Sequence, residues 1–160
     1  MFSAMTTFTK VHVVISLIAI FAGFVVAFGL LTSKRLDGWT ALFLVMTLLT
    51  SVTGFFFPFH GFTAPIWFAI ITLVVLAIGT FARYGRKLTG AWRWIYAVTA
   101  MLALYLNVFV LIVELFLRVP ALKALSATQA GPPFLIAQLS AIVIFVVLTV
   151  IAAIRFRPIN

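Results

Sequence analysis

Five long apolar runs, separated by short polar breaks, make up almost the whole of this 160-residue chain. The runs cover residues 11–31, 40–57, 66–82, 94–117 and 134–154. A helix rises about 1.5 Å per residue, so each run is close to the roughly 20 residues that cross about 30 Å of hydrocarbon. The sequence therefore predicts an all-α fold: one transmembrane domain, residues 1–160, built as a bundle of five transmembrane helices.

The composition indicates that lipid rather than water surrounds the chain. Hydrophobic residues make up 66% and charged residues 8% of it, whereas a soluble domain carries about 25% charged residues. Because the chain has no cysteine, disulfides, thiolate metal sites and iron–sulfur clusters are excluded. The net charge of +9 does not indicate nucleic-acid binding, since the cations lie between the apolar runs and form no continuous strip.

Lysine and arginine are divided unequally between the two sides of the predicted bundle. Eight lie on one side, which we call the basic end: Lys34, Arg35, Arg83, Arg86, Lys87, Arg93, Arg155 and Arg157. Lys10, Arg118 and Lys123 lie at the opposite end, and the two groups account for all 11 cations. Cytoplasmic loops carry the excess of Lys and Arg, so the N-terminus is predicted outside and the C-terminus in the cytoplasm.

Prolines mark two of the breaks. Pro58 and Pro65 bracket a tight hairpin between the second and third runs, because proline stops one helix and suits the first turn of the next. The longest break, 118–133, is predicted to hold a short interfacial helix over residues 120–125. Gly131 and the two prolines after it then separate this short helix from the fifth run.

The first run has a packing face made of small and polar residues. Helical spacing places them on one stripe: His12, Ser16, Ala19, Gly23 and Ala27. In lipid, helices associate through small residues that allow close approach, so this stripe, including His12, is predicted to point into the bundle. Val26 is expected on another face.

Polar side chains are predicted to gather at the opposite end, in its outer third. They form a candidate ligand pocket of His12, Ser16, His60, Asn107, Glu114 and Gln138. Ionisable groups inside a span are costly to insert and indicate function by default. Structural roles remain open alternatives: Glu114 and Arg118 have the i,i+4 spacing of an ion pair, Asn107 can bond a neighbouring helix, and His60 can face solvent.

Two cofactors suit part of this set. His12, His60 and Glu114 are the ligand types of a divalent metal site, either non-haem iron or zinc. His12 and His60 are alternatively the two axial ligands of a haem b. No local ligand spacing such as HxxxH supports either prediction, and no GxSxG, P-loop or dinucleotide motif is present in the sequence. A paired-carboxylate site is improbable, because Asp37 is predicted at the basic end.

Four segments carry a resemblance: 53–59, 90–96, 104–110 and 131–138. With them the chain resembles small polytopic bacterial inner-membrane proteins that have no assigned activity. The resemblance implies a multi-pass protein of the bacterial inner membrane and implies no catalytic residue or cofactor.

Three functions compete at this point. The leading hypothesis is a membrane protein whose outer-side polar pocket binds a ligand, a metal ion or a proton, as an accessory or transport component. The second is a haem- or metal-binding redox protein that uses His12 and His60. The third is a structural subunit of a larger membrane complex or homo-oligomer, in keeping with its small size. Whether the chain is an enzyme stays open, and the lipid bilayer is its one firm partner.

Overall fold

A computed structural model of the protein describes residues 6–57, 64–126 and 131–158, and all regular structure in these ranges is helical. The helices are α1 (Thr7–Leu31), α2 (Asp37–Gly54), α3 (Ala64–Thr80), α4 (Trp92–Arg118), α5 (Pro120–Leu125) and α6 (Pro132–Arg155). A π-helical turn, Phe81–Gly85, continues α3. Four segments are long and apolar enough to cross a membrane: Thr7–Leu31, Ile66–Gly85, Trp92–Arg118 and Pro132–Arg155. These segments confirm the prediction of an all-α bundle with membrane-spanning helices. Of the five predicted spans, α2 is the one that is not among the four segments.

The ends of the first two helices differ from the predicted runs. α1 begins at Thr7, because the side chain of Thr6 caps it by accepting a hydrogen bond from the Thr9 amide at 3.2 Å. α2 begins at Asp37 and ends at Gly54, three residues earlier at both ends than predicted. A carboxylate in the first turn is stabilised by the positive end of the helix dipole, so Asp37 belongs to the helix rather than to the loop.

α4 lies at the centre of the bundle. It packs against α1, α3 and α6, while α2 packs against α1 and α3. The core that these helices share includes Phe43, Ala97, Met101 and Leu104, each exposed by 1% or less. α6 lies at the edge and turns a continuous apolar surface outward, as expected for a helix in contact with lipid.

The small-residue stripe of α1 is a packing face. Ala19, Gly23 and Ala27 are buried, and a Cβ atom added at Gly23 would come within 2.5 Å of the Leu104 side chain. The expectation for Val26 was wrong, because this side chain is only 4% exposed. Three residues along a helix correspond to a rotation of about 300°, which leaves Val26 only about 60° from Gly23.

Hydrogen bonds between distant segments hold the basic end together. The Arg93 guanidinium donates to the carbonyl of Ala153 at 3.1 Å and to that of Phe156, which lies just beyond α6. The Arg157 amide donates to the Ser33 hydroxyl at 2.8 Å. The cation-bearing segments after α1 and α6 and before α4 therefore meet at one end of the bundle.

Candidate functional site

His12 lies half-buried near the start of α1, on the face that packs against α2. Its Nδ1 atom is 2.7 Å from the Thr53 hydroxyl oxygen, and its ring meets the edge of Phe57 at a centroid distance of 4.9 Å. Ser16 lies one turn further on and donates to the His12 main-chain carbonyl at 2.8 Å. The stripe thus brings His12 against a neighbouring helix, while the Ser16 hydroxyl bonds within α1.

The partners of Thr53 decide which nitrogen of His12 is available. A threonine hydroxyl has one hydrogen, and the Thr53 oxygen lies 2.6 Å from the Leu49 carbonyl and 3.2 Å from that of Thr50. That hydrogen is directed to its own helix, so the His12 imidazole must donate through Nδ1–H. In the neutral imidazole, the lone pair is then on Nε2. A histidine fixed through one nitrogen is oriented to bind a proton or a metal through the other.

Glu114 forms the ion pair that its spacing suggests. Its carboxylate pairs with the Arg118 guanidinium one turn later, and the two side chains are 41% and 44% exposed. An exposed pair of this kind contributes about 0.3–0.5 kcal/mol at most. The contact that the structure shows for Glu114 is therefore an exposed ion pair within α4.

Asn107 and Gln138 link helices. The Asn107 amide donates to the Thr47 hydroxyl at 3.2 Å, which joins α4 to α2. The Gln138 amide donates to the Phe109 carbonyl at 3.3 Å, which joins α6 to α4. The Gln138 side-chain oxygen is buried, and among the described residues it has no hydrogen-bond partner, so one acceptor is left unsatisfied within this part of the chain.

His60 lies outside the residues that the structure describes. Its place relative to His12 and Glu114 is therefore not established, and the predicted metal and haem ligand sets stay predictions. Within 6–57, 64–126 and 131–158, no three His, Asp or Glu side chains lie close enough to hold a metal ion.

Arg83 is a buried charged residue that the sequence analysis used only to count cations on each side of the bundle. Arg83 lies in the π-helical turn, and its side chain is 1% exposed. Its guanidinium pairs with the Asp37 carboxylate and donates to the Arg35 carbonyl at 3.2 Å. The ring of Tyr96, itself 1% exposed, lies 5.1 Å from the guanidinium carbon. Arg83 thus links the π-helical turn to the start of α2 and to α4.

One sequence signal pointed to this contact. Asp37 is the only acid at the basic end, so the cations there are expected to pair with it, and both Arg35 (3.3 Å) and Arg83 do. The choice of Arg83 depends on the π-helical turn, which redirects the residues after Thr80. The Nε and Nη1 atoms of Arg83 are buried and have no hydrogen-bond partner in the described ranges, so within these ranges the pair leaves part of the guanidinium unsatisfied.

Comparison with known proteins assigns the chain to no family. No protein-family model, no curated protein and no solved structure matches the chain. The described part of the chain defines a class: a helical bundle in which four segments are long and apolar enough to cross a membrane.

Proposed function

We propose that the protein is a five-span protein of the bacterial inner membrane, with its N-terminus outside and its C-terminus in the cytoplasm. α2 supplies the fifth span, because its 18 residues extend about 27 Å and it packs between α1 and α3. The unequal distribution of cations, eight against three, supports the orientation. The resemblance to small polytopic bacterial inner-membrane proteins supports the location in the bacterial inner membrane.

Reporter fusions test this topology. Fusions after Lys34, Lys87 and Asn160 are expected to report the cytoplasm, and fusions after His60 and Lys123 the periplasm. A periplasmic signal at Asn160 would contradict the orientation. Equal signals at Lys34 and His60 would show that α2 does not cross.

Within this topology, we propose that the outer-side end binds a proton, a metal ion or a small ligand through His12, as an accessory or transport component. The observation that carries the proposal is the hydrogen bond from His12 Nδ1 to Thr53, which fixes the ring and leaves Nε2 as an acceptor. Glu114 is the acid predicted at the same end, and the side-chain oxygen of Gln138 is a buried acceptor on α6. A cationic ligand or a proton fits these groups best.

A pair of variants separates binding by Nε2 from the structural role of Nδ1. His12→Asn keeps an amide donor near the Nδ1 position and removes Nε2, whereas Thr53→Val removes the partner that orients the ring. The assay is the ¹⁵N spectrum of His12 in the purified protein during pH and Zn²⁺ titrations, with thermal stability measured in parallel. We expect Zn²⁺ to stabilise wild-type protein and to leave His12→Asn unchanged. Equal stabilisation of both proteins would overturn the role of His12.

The Nε2 lone pair of His12 also suits a second candidate, a haem- or metal-binding redox protein that uses His12 and His60. A haem b held by two histidines gives a Soret band, and metal analysis of the purified protein detects iron, zinc or copper. A Soret band that disappears in His12→Asn would select the redox function. Its absence in protein purified with haem supplied would reject the haem site.

A further inference from the structure

A groove on the outside of the bundle runs down to the basic end. It has a volume of about 450 Å³ and is lined mainly by apolar side chains of α2, α3 and the π-helical turn: Leu48, Leu73, Leu76, Ala77, Phe81 and Tyr84. It is open along its length, so a molecule in the membrane reaches it without a change of the fold. An open apolar groove at this position suits a hydrocarbon chain.

The length of the groove matches one leaflet of a bilayer. From Leu73 to Gly85 the chain rises about 18 Å at about 1.5 Å per residue. Half of a hydrocarbon core of about 30 Å is about 15 Å. In the proposed topology the groove therefore extends from the headgroup level of the leaflet at the basic end to near the middle of the membrane.

Positive charge lies where the groove reaches the headgroup level. Arg86 and Lys87 follow the π-helical turn directly and are exposed, and the Arg86 guanidinium lies 5.6 Å from the Trp92 ring centroid. The chain has only two acids, and Asp37, the one at this end, is paired with Arg83. The two cations that directly follow Gly85, the last lining residue of the groove, are thus not offset by a free carboxylate.

We propose that this groove is a binding site for an anionic phospholipid. One acyl chain lies along Leu73, Ala77 and Phe81, and the phosphate is bound by Arg86 and Lys87. Basic residues near the membrane surface attract anionic lipids. An apolar groove beside them also holds an acyl chain of the same lipid, so the lipid is bound at one position. The site rests on the proposed membrane topology, but it lies at the basic end, away from His12, and so does not depend on ligand binding at His12.

Lipid binding to the full chain tests the site. The purified protein in detergent is titrated with phosphatidylglycerol or with phosphatidylcholine of the same acyl chains, and bound lipid is counted by native mass spectrometry. We expect retention of phosphatidylglycerol by wild-type protein, and an affinity about fivefold lower for each cation removed in Arg86→Gln and Lys87→Gln. Arg155→Gln is the matched control, because Arg155 is exposed at the same end but on α6, which packs against α4 and α1.

The groove is tested separately from the charge. Ala77→Trp fills it from an exposed position, so this variant is expected to fold and to lose phosphatidylglycerol. Equal binding of the two lipids, or an equal effect of Arg155→Gln and Arg86→Gln, would mean non-selective contact with lipid and overturn the proposal. Unchanged binding by Ala77→Trp would overturn the groove as the site. Far-UV circular dichroism checks that each variant is folded.

Discussion

Substitution of Gly23 probes the tightest approach between α1 and its neighbours. A Cβ atom at this position would lie 2.5 Å from Cδ1 of Leu104 and 2.9 Å from Cε1 of Phe43. Both neighbours are 1% exposed, so any shift of either side chain must be taken up inside the core. Gly23→Ala must therefore separate α1 from α2 and α4 or force a side chain out of its rotamer.

The expected effect follows from two opposing contributions. Overpacking a well-filled core costs about 1–3 kcal/mol. Replacing glycine by alanine within a helix returns up to about 1 kcal/mol, because the unfolded chain loses freedom. Gly38→Ala is the matched control: Gly38 also lies in a helix, but a Cβ atom there meets nothing within 4 Å. We expect Gly23→Ala to be less stable than Gly38→Ala by about 1–3 kcal/mol.

The measurement is the free energy of unfolding in mixed micelles, from the loss of helical circular dichroism as the fraction of denaturing detergent rises. Leu104→Ala supplies a second check, because it removes the atom that Gly23→Ala would touch. In that background the additional cost of Gly23→Ala is expected to fall by about 1 kcal/mol or more. Equal free energies for Gly23→Ala and Gly38→Ala would refute the close approach.

Three further variants test polar contacts by the same unfolding assay. Asp37→Asn leaves the buried Arg83 guanidinium without its charged partner and is expected to destabilise the protein by about 1–3 kcal/mol; no loss would show that the pair is not formed. Asn107→Ala removes the hydrogen bond to Thr47, and the expected loss is about 0.6 kcal/mol, as for other hydrogen bonds between membrane helices. Glu114→Gln is expected to change stability by less than about 0.5 kcal/mol, since its ion pair is exposed; a larger loss would indicate a second, buried role for the carboxylate.

The helices themselves could be predicted from the sequence, because runs of apolar residues in lipid must satisfy their own backbone hydrogen bonds. Proline placed the short helix α5 correctly at Pro120–Leu125. The start of α2 was harder to predict, since hydropathy excludes a charged residue such as Asp37 that a helix N-terminus accepts. Helical periodicity also gave a wrong prediction for Val26. The buried face of α1 is wider than the stripe of small residues and includes this side chain.

The candidate site was predicted only in part, for a related reason. Spacing along α1 indicated that His12 faces the bundle, and spacing along α4 indicated the pair of Glu114 with Arg118. Both depend on neighbours within one helix. The contact of His12 with Thr53 and the burial of Arg83 depend on how helices and turns pack in three dimensions, and no local pattern reports that.

The burial of Arg83 bears on how the chain enters the membrane. While a polytopic protein is being inserted, an arginine after a span is hydrated and favours retention of its loop on the cytoplasmic side. In the folded bundle the same side chain is 1% exposed and paired with Asp37. In the proposed topology Arg83 thus acts twice, first as a topogenic charge and later as an internal tether between the π-helical turn and the start of α2. A substitution such as Arg83→Leu would remove both actions, so misinserted and misfolded chains would have to be counted separately.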